Sequence, residues 1–216
     1  LPLSQCPDNA APGDELEVFV YLDSEGDPVP TTHRPAAELG QVAWLEVVSL
    51  STVGAFVNWG LSKDLFIPFA EQQHKLTEGR HTLVKVYLDN QGRLAGSTRV
   101  DHWIKDDAQG FKRGDKVKLI IADRTELGFK AIVNHQYWGL LYSNELFQKV
   151  RKGQQIEGYI KQARDDGRLD LTLTKPGFSK DRIKNVKNDN KDHKFSYTIK
   201  IKIIKPIIFF KNSLKN

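Results

Sequence analysis

The chain reads as an all-β protein made of small five-stranded barrels in series. Two observations carry that expectation: one unit is written twice with the same internal spacing, and apolar residues alternate with polar ones between clusters of turn-forming residues. The repeat is visible from its glycines. Gly40 and Gly54 stand 14 positions apart, as do Gly114 and Gly128. Between and after them the same order recurs, first as Val42, Trp44, Glu46, Val48, then Gly54-Ala55-Phe56-Val57-Asn58, Trp59 and Leu65-Phe66-Ile67. The second copy is Val117, Leu119, Ile121, then Gly128-Phe129-Lys130-Ala131-Ile132-Val133-Asn134, Trp138 and Leu140-Leu141-Tyr142.

The elements follow in order. Residues 1–36 carry only the later half of a unit: Pro12-Gly13-Asp14, the alternation Leu16, Val18, Val20, and a turn at Glu25-Gly26. They are expected to be the C-terminal half of a first barrel. Residues 37–103 form the second barrel, whose later strands run through Leu83, Val84, Val86, Tyr87 and turn at Asn90-Gln91-Gly92. Residues 111–177 form the third, with Ile156, Tyr159, Ile160 and a turn at Asp166-Gly167. Such turns need a residue that tolerates positive φ, which glycine supplies. About five short strands in roughly 70 residues, with no long helix, fit an OB-type Greek-key barrel that closes its own edges; an SH3-like barrel is the rival. Residues 178–216, rich in Lys, Asn and Ile, share none of the repeat and are expected to be a poorly ordered basic tail.

Composition sets bounds on this picture. Hydrophobic residues make up 39% of the 216, enough for modest cores. The single cysteine, Cys6, cannot form an internal disulfide, so a reducing cytoplasm is the expected compartment. Leu1 to Ala11 has no basic start followed by an apolar run, the pattern of a signal peptide. The absence of methionine, together with the missing front of the first repeat, leads to the expectation of a fragment or a processed chain. The net charge of +5 is unevenly spread: residues 176–216 hold 11 basic and 3 acidic groups, so residues 1–175 come to −3. Residues 101–175 carry 14 basic and 11 acidic groups, residues 37–100 carry 6 and 6, and residues 1–36 carry 1 and 7. If charge draws a phosphate backbone, it favours the third barrel.

The run Ser51-Thr52-Val53-Gly54-Ala55-Phe56-Val57, with Leu65-Phe66-Ile67-Pro68-Phe69-Ala70-Glu71 and Asp89-Asn90-Gln91-Gly92-Arg93-Leu94, resembles the RNA-binding domain first seen in ribosomal protein S-one. The tandem array, with Tyr137-Trp138-Gly139-Leu140-Leu141-Tyr142, resembles the conserved virulence factor B family of bacteria. That resemblance covers about residues 1–178. It implies several such barrels followed by a winged helix, and a role as an RNA-binding regulator of gene or virulence-factor expression. The winged helix has no counterpart after Pro176-Gly177-Phe178.

The resemblance also implies where RNA is held. Single-stranded nucleic acid needs aromatic faces for its bases and cations for its phosphates. In the second barrel Phe56 stands at the stacking place and Arg93 at the cation's, while Val53 and Ile67 replace an aromatic and a histidine. In the third, Tyr142 stands at the histidine's place and Arg168 at the cation's, with Lys130 and Arg164 nearby and Leu127 replacing an aromatic. Asp27 stands where the first barrel would carry the arginine. Each assignment has a plainer alternative: Phe56 as core, Arg93 and Arg168 as solvated hairpin arginines, and Trp59, Tyr137 and Trp138 as packing. Trp44 and Trp103 read as structural, and Asp106-Asp107 and Asp165-Asp166 as solvated turn acids.

Catalysis finds no support in the sequence. The six histidines show no metal-ligand spacing with one another or with Cys6, and no phosphate loop or nucleophile motif occurs. Neither cofactor nor metal is expected. Ser196 to Phe210 is too short and too interrupted by Lys205-Pro206 to span a membrane, though a basic amphipathic anchor stays open. The partner expected is single-stranded RNA, gripped along a row of barrels that are each weak and jointly stronger. A protein-interaction scaffold whose barrels have lost their pockets is the alternative, and DNA binding stays open as well.

Overall fold

The computed structural model describes residues 18–22 and 27–175, and its contacts divide the chain into two compact units. The described part of the first is a hairpin. Strands β1 (Phe19–Leu22) and β2 (Pro28–Thr31) pair antiparallel, Phe19 opposite Thr31 and Leu22 opposite Pro28. The rest of the expected first half-barrel and the 178–216 tail lie outside the described residues.

The described part of the second unit, residues 35–175, holds two barrels, which lie in the stretches expected as the second and third and are called the first and second barrel from here on. The first comprises β3 (Val42–Leu50), β4 (Gly54–Asn58), β5 (Leu65–Pro68), β6 (His81–Leu88) and β7 (Leu94–Ser97), in the order β5-β4-β3-β6-β7. Alternation decides the faces: Ala55 and Val57 on β4, Ile67 on β5, and Val84 and Val86 on β6 are sealed inside. The sheet rolls until β7 lies against β5. Gly96 permits this, because a Cβ there would stand 2.9 Å from Ile67 Cγ1 and 2.7 Å from Val84 Cγ1. The rim beyond the two strands is stitched by the Thr98 N–H donating to Glu71 O at 2.9 Å and the Gln73 N–H donating to Thr98 Oγ1 at 2.9 Å.

The second barrel is closed. Its strands are β8 (Lys116–Arg124), β9 (Gly128–Val133), β10 (Tyr137–Tyr142), β11 (Gln155–Ala163) and β12 (Leu169–Thr172), and β10 pairs parallel with β12 to complete the ring. This is the OB-type Greek-key closure, in which no strand of the barrel keeps a free edge. Leu119, Ile121, Ala131, Leu141, Ile160 and Leu171 fill its interior. One-turn 3-10 helices follow the third strand of each barrel, at Phe69–Glu71 and Ser143–Glu145.

The two barrels share a core. Val42 and Leu83 of the first barrel, Val100 and Ile104 of the connector, and Ile120, Ala122, Ile132 and Trp138 of the second form one buried cluster. Strand β8 therefore buries both faces, Leu119 and Ile121 inward and Ile120 and Ala122 toward the neighbouring barrel. Polar contacts reinforce the joint. The Val42 N–H donates to His135 Nδ1 at 3.1 Å, and the buried Lys85 ammonium donates to His135 O at 3.2 Å and to Gly40 O. His135 reaches across because Asn134 and His135 both adopt left-handed φ, 48° and 62°, in the β9–β10 turn. Burial lowers the basicity of His135, with Lys85 and Lys118 adding to the effect, and burial likewise lowers that of Lys85.

Candidate nucleic-acid interface

On the outer face of the second barrel a groove of about 450 Å³ runs between the β8–β9 turn and the β11–β12 turn. Its walls bring together residues far apart in sequence, among them Leu127, Lys130, Trp138, Tyr142, Arg164 and Arg168. Strand pairing explains the convergence. Lys130 faces Leu140 across β9 and β10, and the parallel β10–β12 pair sets Asp170 beside Leu140. Four of the residues named from the sequence, Lys130, Tyr142, Arg164 and Arg168, thus line one cavity.

Each of those side chains is held. Tyr142 is half-buried; its hydroxyl donates to Asp170 Oδ1 at 3.2 Å and accepts from Arg164 Nη2, and the Lys161 ammonium sits 5.4 Å from its ring centroid. Arg164 Nε donates to Asp170 Oδ2 at 3.0 Å, and Nη2 lies 2.8 Å from Oδ1. This bonding with Asp170 raises the guanidinium's affinity for its proton above the ordinary arginine value. Lys130 lies 3.7 Å over the Trp138 ring and 3.0 Å from Asp101 Oδ1. Arg168, with its side chain 70% exposed, is held only loosely, 3.8 Å from Asp166.

The first barrel presents the same face with different chemistry. Phe56 does not enter the core: Ala55 and Val57 point inward and Phe56 outward, half-buried against Phe66 with ring centroids 5.2 Å apart. Around this pair Val53 and Phe69 are exposed. Val53 and Leu127 occupy equivalent turns, closed by Ser51 Oγ and Thr125 Oγ1 donating to the carbonyls of Gly54 and Gly128. Arg93 donates through Nε and Nη2 to Asp89 Oδ2, at 2.9 and 2.8 Å. Burial works to raise the Asp89 pKa, yet bonds from the Arg93 and Gln91 amides and the Arg93 guanidinium outweigh it and hold the carboxyl below its usual range. Phe56 and Arg93 therefore stay outside the groove that gathers the other four.

One expected correspondence is corrected by the register. Ile67 does not share a place with Tyr142. Gly54 pairs with Pro68 as Gly128 pairs with Tyr142, and Pro68 and Tyr142 each precede the one-turn helix. Ile67 is instead the counterpart of the core residue Leu141, and both are sealed inside. The packing alternatives hold for Trp59 and Trp138, which are 3% and 7% exposed, and for Tyr137, which meets Phe111 edge-on. Trp44 lies on the shared core and against the backbone of Gly153. Trp103 is 38% exposed, beside Tyr87. Asp106, Asp107, Asp165 and Asp166 are exposed turn acids. Sequence reasoning missed Phe66 and Asp170. The alternation of β5 could have flagged Phe66, whereas Asp170 needed the β10–β12 pairing.

The S1 domain family model matches residues 1–33 and 39–99. A relative from Bacillus subtilis (strain 168), "Uncharacterized protein YitL", is 24% identical over 170 residues, covering 74% of this chain and 56% of its own length. A solved structure from Streptococcus pneumoniae, described as a multidomain protein with nucleic acid binding domains, aligns with a TM-score of 0.40 and 18% identity, over 82% of this chain and 65% of that one. The chain spans about half the length of the curated relative and two-thirds of the solved chain.

Proposed function

We propose that this chain binds single-stranded RNA on the outer face of its second barrel, as a binding module of a bacterial regulator of gene expression rather than as an enzyme. The observation that carries the reading is convergence. Lys130, Tyr142, Arg164 and Arg168 come from three separate segments and meet in one groove, on the barrel face and between the two turns that OB folds use for oligonucleotides. The S1 domain match to the preceding residues supports it from the other barrel. In the groove, Leu127 and the Tyr142 ring offer apolar surface to bases. Lys130 and Arg168 sit in exposed ion pairs worth only about 0.2–1 kcal/mol each, which a phosphate can replace at little loss.

The test is the anisotropy of a fluorescein-labelled single-stranded RNA titrated with the chain across a salt series. Three phosphate contacts should give a slope of about −2 in log affinity against log salt. Tyr142→Ala combined with Arg168→Ala should weaken binding by about 2–4 kcal/mol, one stacking loss and one charged contact, and should lower the urea midpoint modestly, because the Tyr142 hydroxyl also donates to buried Asp170. Parent-like binding by the double variant would refute this assignment, and a DNA strand of the same sequence separates RNA from DNA through the 2′-hydroxyl. A second reading, a protein-interaction scaffold, is favoured by one observation: Lys130, Arg164 and Arg168 each already face a carboxylate. Binding without any salt dependence would move that reading ahead.

A further inference from the structure

We infer that Asp170 is the positioning residue of the groove, an acid on which the binding of a polyanion depends; the inference rests on the RNA reading above. Asp170 is only 7% exposed, on β12 beside β10. A carboxylate in such a place is tolerated only where charge and donors surround it. Arg164 supplies both, bidentate through Nε and Nη2, and the Tyr142 hydroxyl closes the ring by donating to Oδ1 and accepting from Nη2. Arg164 Nη1 carries none of these bonds. The acid therefore fixes a half-exposed arginine on the groove wall, its remaining donors available to a phosphate, and fixes the plane of the Tyr142 ring as well.

The repeat supplies an internal control. The β6–β7 and β11–β12 turns have the same geometry: the Asp89 N–H donates to Arg93 O and the Arg164 N–H to Arg168 O, both at 2.9 Å. The turn glycines Gly92 and Gly167 have φ of 77° and 80°. Yet the first barrel carries Asp89 for Arg164, Ala95 for Asp170 and Pro68 for Tyr142. All three members of the network are absent together. This is the pattern expected of a unit in which the acid needs the arginine's charge and the arginine needs the acid's anchor.

Charge counting and positioning predict opposite signs, which makes the inference testable. Removing Asp170 makes the groove more positive by one charge, so electrostatics alone calls for tighter RNA binding. Positioning calls for weaker binding, because Arg164 loses its anchor. Fluorescein-labelled oligouridylate is titrated into the full chain and its Asp170→Ala, Asp170→Asn, Arg164→Ala and Asp170→Ala/Arg164→Ala variants. The expected result is a loss of about tenfold for Asp170→Ala, and no further loss when that change is added to Arg164→Ala. Binding by Asp170→Ala at least as tight as the parent, or additive losses in the double variant, overturns the inference while leaving the RNA reading standing. If Asp170→Ala does not unfold cooperatively, the isosteric Asp170→Asn decides by the same criterion. A parent chain that does not bind oligouridylate removes the RNA reading, and this inference with it.

Discussion

Replacing Ile132 by alanine tests whether the two barrels stand or fall as one body. Ile132 is 0% exposed and belongs to the cluster that Val42 and Leu83 enter from the first barrel and Ile120 and Trp138 from the second. The change removes three carbons, about 0.8 kcal/mol each in transfer terms. It also leaves a void whose walls are strands of two barrels, poorly able to collapse, and such voids add about 24 cal/mol per Å³. The loss should be about 4 kcal/mol, near the upper part of the range for such truncations. Urea unfolding followed by circular dichroism should show one transition, shifted to lower urea. Native-state hydrogen exchange should accelerate at Val84 and Val86 of the first barrel as well as at Ile121 and Ile160 of the second. A loss below about 1 kcal/mol, or first-barrel amides that do not respond, would show that the shared cluster does not couple the barrels.

Two further outcomes follow from side-chain placement. Phe56→Ala should cost about 2 kcal/mol, about half from the outer-face aromatic pair with Phe66 and the rest from the ring's half-buried area, rather than the larger loss of a core phenylalanine; the urea midpoint reads this directly. His135 gives a pH dependence with a definite sign. Its folded-state pKa lies below the unfolded value of about 6.5, and Nδ1 must be unprotonated to accept the Val42 N–H. The unfolded chain therefore binds a proton first, so stability is complete above about pH 6.5 and falls as pH drops below it. The decline should vanish in His135→Asn, measured as urea midpoints across that range.

The strands were readable because their cores obey period two, and the turns because glycine marks them. The doubled Gly-to-Gly spacing was enough to set the two barrels in register with each other at their first and second strands. What escaped was everything decided by pairing between distant strands. Sequence alignment alone placed Ile67 opposite Tyr142, an error of one residue, and in a strand one residue exchanges core for surface. Asp170 was passed over because an acid in a strand looks like an outward polar position, and its partners lie on β10 and in the β11–β12 turn. The fusion of the barrels did leave a trace: Leu119-Ile120-Ile121-Ala122 is a continuous apolar run, the sign of a strand covered on both faces. The groove's charges were legible as residue types, but their pairing with Asp101, Asp166 and Asp170 was not, since Asp101 comes from another segment and Asp170 meets Arg164 only when the β11–β12 turn folds back.

The two barrels differ in how they close, and that difference gives the molecule a weak direction. The second is a continuous hydrogen-bonded ring through β10 and β12, whereas the first meets along a side-chain seam where Gly96 of β7 lies against Leu65 and Ile67 of β5, with backbone stitches only at the rim around Thr98. Parting that seam breaks no ladder, so the first barrel can breathe open there while the second must lose a whole row of bonds to do the same. The strands flanking the seam include β5, which carries Phe66. The aromatic face of the first barrel is thus mounted on a yielding wall and the charged groove of the second on a stiff one, so a strand lying across both would meet one surface that adapts and one that does not.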